Sequence, residues 1–358
     1  HNNIGAVNRQ LRDFDAALEH YRTALAIDER LGDEQAAATR RANMGTVYMD
    51  VGDYERARSE YTAALATARK AGQTDKIAIR LNNLGAVAVS LGEHEAALAH
   101  YREAQQIHAD RGQSHELATV TSNIGSALHQ LGRHDDAVTA LEEAIALKER
   151  LRLGASGDIR RDYLASQIET YGWLVAAHVG ADRPLAAILA ADSSRERYLS
   201  DQLAFVKAGA AEALSLRFLA AIPEDVAVAY FLRAGDDALV RFLATSDGVQ
   251  AEVLSFPKLM DDLGGDDLPA AVAHYRALVA SPEAIHDAER AELGRAWYDA
   301  LLGDAAPLHG REHLLVVPDG ALAFLPFETL RTPRGRYLVE EGLVRYAPSL
   351  AVAALTAS

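Results

Sequence analysis

The sequence predicts an α-helical repeat stack followed by an α/β domain: 40-residue helix pairs first, then an antiparallel meander and a mixed sheet. Three observations predict it. A short motif recurs at fixed spacing through residues 1–151. The hydrophobic period changes from helical to alternating at Pro223. The apolar run from His313 to Val317 reads as a buried strand of the parallel type.

The motif is Asn2-Asn3-Ile4-Gly5, then Asn43-Met44-Gly45, Asn82-Asn83-Leu84-Gly85 and Ser122-Asn123-Ile124-Gly125. Its glycines, Gly5, Gly45, Gly85 and Gly125, are evenly spaced along the chain. Fixed periods of this size mark stacked structural units. In the second unit, a helical run from Ala36 to Val51 is broken by Gly52-Asp53, and a second run goes from Tyr54 to Ala71. Gly45 puts a small residue on the first helix, and Ala57, Tyr61 and Ala64 share one face of the second. The pattern returns as Ala17/Tyr21/Ala24, Ala97/Tyr101/Ala104 and Ala137/Leu141/Ala144. Gly92-Glu93 and Gly132-Arg133 repeat the break, and Arg12-Asp13 replaces it in the first unit without the glycine.

This arrangement over residues 1–151 resembles the tetratricopeptide (TPR) family, in a variant longer than the family's usual unit of about 34 residues. The resemblance implies one continuous core and a concave wall built from the first helices. Asn3, Asn43, Asn83 and Asn123 precede the apolar residue and the glycine, beside the packed face. Similar proteins use an Asn there to hold a bound peptide's backbone, since a carboxamide both donates and accepts. Asn82, Thr46 and Ser126, with Asn2, are further candidates for the same wall. The alternative is that these side chains bridge neighbouring repeats or face water. Arg40, Arg41 and Arg80 lie nearby and are placed either against an acidic ligand or on a solvated helix face.

Residues 152–222 read as divergent terminal helices that cap the stack. A loop at Gly154–Asp158 leads into a helix from Ile159 to Val179; Gly180 stops it and Pro184 opens another, Leu185 to Phe205. Trp173 and Tyr198 are read as packing residues.

From Pro223 onward, strands are expected at Val226–Arg233, Leu239–Thr245 and Val249–Phe256, joined by turns at 234–237 and Asp247-Gly248. A linker with Gly264, Gly265 and Pro269 precedes helices near 269–280 and 283–302. The strand His313–Val317 then meets a turn at Pro318-Asp319-Gly320, where Asp319 is expected to bond its own backbone. Phe324, Leu325 and Phe327 are core candidates, and Glu328 is expected to pair with Arg331 or Arg336 if with anything. The VPDG turn, the Leu325-Pro-Phe327 segment and the Tyr346-Ala-Pro-Ser-Leu350 junction, in that order, resemble the first part of a CHAT domain. That caspase-like domain is typically fused behind TPR repeats, and the resemblance runs over residues 223–358.

The resemblance implies a peptide- or protein-binding scaffold that controls a cysteine peptidase of the caspase and separase type. There an imidazole assists thiolate attack, and backbone N–H groups stabilise the oxyanion. The family's His and Cys follow the Tyr346–Leu350 junction, so no residue here inherits a catalytic role; His309 and His313 are read as structural. The sequence is expected to be a catalytically incomplete fragment, with residues 340–358 poorly ordered for want of later strands. The alternative is a non-catalytic scaffold with a degenerate CHAT domain.

Composition bounds the other classes. The chain holds no cysteine among its 358 residues and carries a net charge of −15. Residues 1–150 have 17 basic and 22 acidic side chains, and residues 223–358 have 11 and 21. Acid so placed argues against nucleic-acid binding, and no run of about 20 apolar residues marks a membrane span. Phosphate loops, dinucleotide fingerprints and nucleophile elbows do not occur. His94-Glu95 and His115-Glu116 lack the second histidine of a zinc pair. The acidic cluster Asp261, Asp262, Asp266 and Asp267 lacks the spacing of a calcium loop. No cofactor or metal is expected, the oligomeric state is open, and a cytoplasmic protein is implied.

Overall fold

The computed structural model describes residues 1–154, 158–203, 210–234, 238–263, 267–281, 286–303 and 310–356. The chain divides into two compact units, His1–Ser156 and Gly157–Ser358.

The first unit is a run of antiparallel helices: α1 (Asn2–Gln10), α2 (Phe14–Leu31), α3 (Glu34–Asp50), α4 (Tyr54–Lys70), α5 (Thr74–Ser90), α6 (His94–Asp110), α7 (Ser114–Gln130) and α8 (His134–Gly154). From α2 onward the helices start at regular intervals, at Phe14, Glu34, Tyr54, Thr74, His94, Ser114 and His134, so each repeat unit is two equal helix-and-turn halves. Asp13, Asp33 and Asp53 cap α2, α3 and α4 by accepting from the backbone N–H three positions on. The turns between units are closed by Gly32, Gly72 and Gly112 with positive φ, as Gly52, Gly92 and Gly132 close those within them. Arg12 takes the same left-handed conformation, φ 61°, where the first unit has no glycine.

Each motif glycine is a seat for a large residue on the helix that follows. A Cβ built at Gly5, Gly45 or Gly85 would stand 2.8, 2.9 or 2.4 Å from the rings of Tyr21, Tyr61 or Tyr101. At Gly125 it would stand 2.4 Å from Leu141. Val47, Ala57, Leu81, Ala97 and Leu141 are fully buried along this seam. Ile4 differs from its equivalents Met44, Leu84 and Ile124: it is 50% exposed, because the α1 edge has no earlier helix against it among the described residues.

The second unit is a three-layer sandwich. Helices α9 (Asp158–Gly180), α10 (Pro184–Leu203) and α11 (Ala210–Leu219) precede the sheet. Strands β1 (Val226–Ala234), β2 (Ala238–Thr245) and β3 (Gly248–Ser255) form the meander. Helices α12 (Phe256–Leu263), α13 (Leu268–Ala280) and α14 (Asp287–Leu301) follow, then β4 (His313–Val317), two 3-10 turns at Gly320–Phe324 and Phe327–Thr329, α15 (Leu338–Glu341), β5 (Leu343–Tyr346) and α16 (Leu350–Thr356). The sheet order is β3-β2-β1-β4-β5, antiparallel through the meander and parallel from β1 to β4 to β5.

Strand alternation sorts β1 between two cores. Ala227, Ala229 and Phe231 pack with Val272, Tyr275, Trp297, Leu322 and Phe327 on one face. Val228, Tyr230 and Leu232 pack with Val175, Ala187, Ile188, Ala191 and Leu350 on the other. Residues of α9 and α10, expected to cap the repeats, are thus buried in the sheet's own core. The compact unit begins at Gly157, not at Pro223, because these helices have apolar faces that β1 and β2 need covered.

Other expectations are corrected here. The third strand ends at Ser255, and helix α12 occupies Phe256–Leu263, between the expected strand and the expected linker. Helix α11 was not foreseen. Leu325 and Phe327 are core residues, but Phe324 is 63% exposed, under the Arg276 guanidinium at 5.6 Å. The 3-10 turn explains this: its three-residue period sends Leu322 and Leu325 inward and Phe324 out. Glu328 pairs with neither arginine; it accepts from the Tyr346 hydroxyl at 2.5 Å. Asp319 does accept from the Gly320 N–H (3.0 Å), and also from the Arg233 N–H of β1 (2.8 Å). His309, Gly264, Gly265 and Asp266 lie outside the described residues, as does the side chain of Tyr198.

Candidate binding wall and a strand-end cleft

The eight wall candidates fall on α1, α3, α5 and α7, and their environments differ. Asn43 is half-buried and donates through Nδ2 to Asn2 Oδ1 at 2.9 Å. Asn123 does the same to Asn82 Oδ1, also at 2.9 Å. Each bond joins the first helix of one unit to that of the unit before. Asn3 is exposed and accepts from Asn2 Nδ2 at 3.3 Å. Thr46 donates to the Ala42 carbonyl (3.1 Å) and accepts from the Tyr61 hydroxyl (3.0 Å). Ser126 is half-buried with no hydrogen bond among the described residues.

Asn83 stands apart. By register its partner would be residue 42, which is alanine. It is half-buried and has no hydrogen-bond partner among the described residues. The bridge that Asn43 and Asn123 make is missing at the middle step, and a carboxamide is left unengaged on the wall.

The arginines separate as well. Arg40 is neutralised by Asp28 at 3.0 Å, and Arg41 by Glu29 at 2.7 Å with Glu60 at 3.4 Å. Arg80 has no ion pair among the described residues. Burial lowers its pKa below the usual arginine range, with only the Tyr61 phenol opposing. Burial also pushes the Tyr61 hydroxyl up, so it remains a hydrogen-bond donor to Thr46.

The second unit has a cleft of about 600 Å³ at the carboxyl ends of β1, β4 and β5, the edge where open parallel sheets commonly take ligands. Gln167, Arg195, Leu232, Asp319, Tyr346 and Pro348 line it. Arg195 lies 4.4 Å over the Tyr230 ring, donates to the Phe231 carbonyl at 2.5 Å and faces Asp319 at 3.5 Å. Beside it, the buried Asp192 carboxylate holds the start of α16, accepting from the N–H of Leu350 (2.8 Å) and the hydroxyl of Ser215 (2.6 Å). At the opposite strand ends, Asp225, Glu312 and His313 place three potential metal-ligand atoms within 4.8 Å of one another. These groups are exposed or half-exposed, and His313 Nε2 already faces Asp225 at 3.5 Å.

Sequence reasoning missed the contrast between Asn83 and its equivalents, and the contrast between Arg80 and Arg40. The signal was available: Ala42 and Ala68 break the repeat register at the partner positions.

Comparison with known proteins agrees with the two-part reading. The tetratricopeptide repeat model matches residues 1–70, 35–110 and 76–150. The CHAT domain model matches residues 291–358, a shorter span than the 223–358 expected. No curated protein matches the chain. Among solved structures, BtubC (BKLC) from P. vanneervenii is similar at 23% identity and a TM-score of 0.50, over 57% of this chain and 80% of that one. The TPR-like repeats of a putative kinesin light chain from Podosopora anserina are 16% identical, with a TM-score of 0.48, over 56% of this chain and 94% of theirs. A Rap protein complexed with competence and sporulation factor is 16% identical, with a TM-score of 0.45, over 60% and 56%. At these identities the likeness concerns the fold of helical repeats.

Proposed function

The chain carries tetratricopeptide repeats followed by a CHAT domain, and on that premise we propose that it is a protein- or peptide-binding scaffold controlling a caspase-like domain. The first-helix wall of the repeats takes the ligand, through Asn83 first and through Asn3, Asn43, Asn82, Asn123, Thr46 and Ser126 around it. One observation carries this reading: Asn83 keeps a half-buried carboxamide unengaged, whereas its equivalents Asn43 and Asn123 are bonded to neighbouring repeats. A carboxamide in that state offers one donor and one acceptor to an extended peptide backbone. We expect neither nucleic acid nor a membrane as the partner, in keeping with the net charge of −15; no helix among the described residues is long and apolar enough to cross a membrane. The setting we assign is cytoplasmic.

The CHAT part supplies a platform rather than a nucleophile within these 358 residues, which contain no cysteine. Under the peptidase reading, thiol chemistry would be provided by residues outside this sequence. The alternative is a non-catalytic scaffold with a degenerate CHAT domain.

The test is a displayed library of neutral decapeptides selected on the full chain. Binders should lose more affinity when Asn83 becomes Ala than when Asn123, already bonded to Asn82, becomes Ala. Selection of no binder, or equal losses from both substitutions, would remove the basis of the proposal.

A further inference from the structure

Parallel pairing of β1 with β4 brings two distant stretches of chain together at the amino edge of these strands. Val226 is paired with His313, so Asp225 stands beside Glu312. The Asp225 carbonyl accepts from the N–H of Glu312 at 2.9 Å and from that of His313 at 3.0 Å. The Glu312 carbonyl in turn accepts from the Leu343 N–H at 2.8 Å, where β5 begins. The backbone that carries Asp225, Glu312 and His313 is therefore held by both neighbouring strands, which is what a preorganised site needs.

The side chains themselves are not satisfied internally. Two carboxylates and one imidazole each place a ligand atom within 4.8 Å of the others. Glu312 has no ion pair and no side-chain hydrogen bond among the described residues. His313 Nδ1 is buried with no hydrogen-bond partner among them. Its Nε2 meets Asp225 Oδ2 only at 3.5 Å, longer than a good hydrogen bond. Arg311, next in the chain, is turned away to Asp247 at 2.7 Å and Ser246 at 3.2 Å. Glu312 and His313 line a cavity of about 310 Å³ with two further carboxylates, and those are engaged. Glu340 accepts from the Tyr337 N–H at 2.7 Å, and Glu341 from the Thr332 hydroxyl at 3.0 Å. Arg336 donates to the Glu340 carbonyl, and Arg334 is exposed and pairs with neither Asp225 nor Glu312 among the described residues.

Two carboxylates this close repel each other, and a divalent cation cancels both charges. Two ligands of a tetrahedral zinc ion, with bonds of about 2.0–2.1 Å, stand about 3.4 Å apart. The Nε2–Oδ2 separation of 3.5 Å is of that size. Glu312 is exposed, and a change of rotamer closes the remaining distance. We infer that Asp225, Glu312 and His313 bind a divalent transition-metal ion, Zn²⁺ foremost, with water completing its shell. An imidazole with two carboxylates suits zinc over Ca²⁺ or Mg²⁺, which take oxygen ligands. Nδ1 lacks the acceptor that usually stands behind a zinc-bound imidazole, so affinity is about 10–100-fold below that of a fully supported site. The ion staples the start of β1 to the start of β4. Sequence spacing could not show this site, because only strand pairing unites Asp225 with Glu312.

The experiment titrates zinc chloride into the full chain in chelator-free buffer by calorimetry, with thermal melts alongside. Wild type should bind Zn²⁺ and melt higher with it than with EDTA. Asp225→Asn, Glu312→Gln and His313→Asn should each weaken binding about tenfold or more and remove the rise in melting temperature. In EDTA, Glu312→Gln should melt no lower than wild type, since it removes a repulsion; lost binding is then not lost folding. Ca²⁺ and Mg²⁺ should neither bind nor stabilise. Histidines meet possible co-ligands elsewhere: the rings of His129 and His134 are 5.1 Å apart, and Glu289 faces His274 at 3.6 Å and His286 at 3.4 Å. His134→Asn and Glu289→Gln should therefore keep wild-type affinity at the tightest site. The inference fails if wild type binds no Zn²⁺, or if Ca²⁺ or Mg²⁺ binds as tightly. It fails equally if Glu312→Gln or His313→Asn leaves Zn²⁺ affinity unchanged, or if His134→Asn or Glu289→Gln abolishes it.

Discussion

Gly85 lies directly beneath the ring of Tyr101, so close that a methyl group there would stand 2.4 Å from the ring carbon. Two effects oppose each other on mutating Gly85→Ala. Helix propensity favours alanine by about 1 kcal/mol. Overpacking against a ring that is 3% exposed costs about 1–3 kcal/mol. Sterics should win, lowering the urea midpoint. Gly45→Ala meets Tyr61 at a gentler 2.9 Å and should lose less. A midpoint that rises in Gly85→Ala, or a larger loss at Gly45, would contradict this ranking.

Arg12 holds φ 61° at the turn where later units have glycine. A non-glycine residue in the left-handed region carries strain of about 1 kcal/mol. Arg12→Gly should therefore stabilise the repeat unit, by about 0.5 kcal/mol at most once the extra freedom of the unfolded chain is set against it. Thermal denaturation should show a higher midpoint; a lower one would mean that the Arg12 contact with the Phe14 ring, at 5.9 Å, outweighs the strain.

What the sequence disclosed is what repeats or alternates. Gly85 and Tyr101 were readable because the same pairing recurs in every other unit, with Leu141 as the one change. β1 was readable because Val226–Ala234 alternates between two cores. Helix α12 was not, since Phe256 continues a β-favouring run from Val253 and Leu254, and only the packing of Leu259 and Leu263 turns it into a helix. Phe324 was misread because an apolar triplet looks like core until the 3-10 period is known. The role of α9 and α10 was hidden for another reason. Nothing local to Ala187 or Ile188 says that the surface they need is a strand on the far side of α11. Asn83 is one of four equivalent asparagines in the sequence, and its singularity depends on what sits at residue 42.

Asp192 shows the same non-local logic, since its partners Leu350 and Ala351 lie 158 and 159 positions further along the chain. Its carboxyl is 1% exposed, and burial pushes its pKa above the ordinary 3.8, outweighing the hydrogen bonds from Ser215, Leu350 and Ala351. A carboxyl with a raised folded pKa contributes stability that is fully present below the unfolded value. That contribution is lost as pH rises through the folded value. Asn at this position does not titrate. The stability of wild type relative to Asp192→Asn should thus fall as pH rises above about 4, then level off. Urea titrations across that range measure it. A difference that stays flat, or that grows with pH, would show that the hydrogen bonds keep the carboxylate ionised.

Tyr346, on the last strand, ties β5 to the turn that follows β4. Its hydroxyl donates to Glu328 Oε2 at 2.5 Å and accepts from the Phe327 N–H at 3.1 Å, and its ring meets Phe327 at 6.3 Å. Burial pushes the phenol pKa well up, with Glu328 adding to it, so the hydroxyl stays protonated through neutral pH. Tyr346→Phe keeps the ring contact and removes both hydrogen bonds. The side chain is only half-buried, so water replaces part of what is lost, and the cost should be about 1 kcal/mol. The sharper readout is local. The Phe327 amide loses one of its two acceptors and keeps the Leu325 carbonyl at 3.0 Å, so its hydrogen exchange should accelerate in Tyr346→Phe while amides of β1 do not change. Glu328→Gln retains an acceptor for the hydroxyl and should leave the Phe327 amide protected. Unchanged Phe327 exchange in Tyr346→Phe would mean that the Leu325 carbonyl alone protects that amide and the Tyr346 hydroxyl does not.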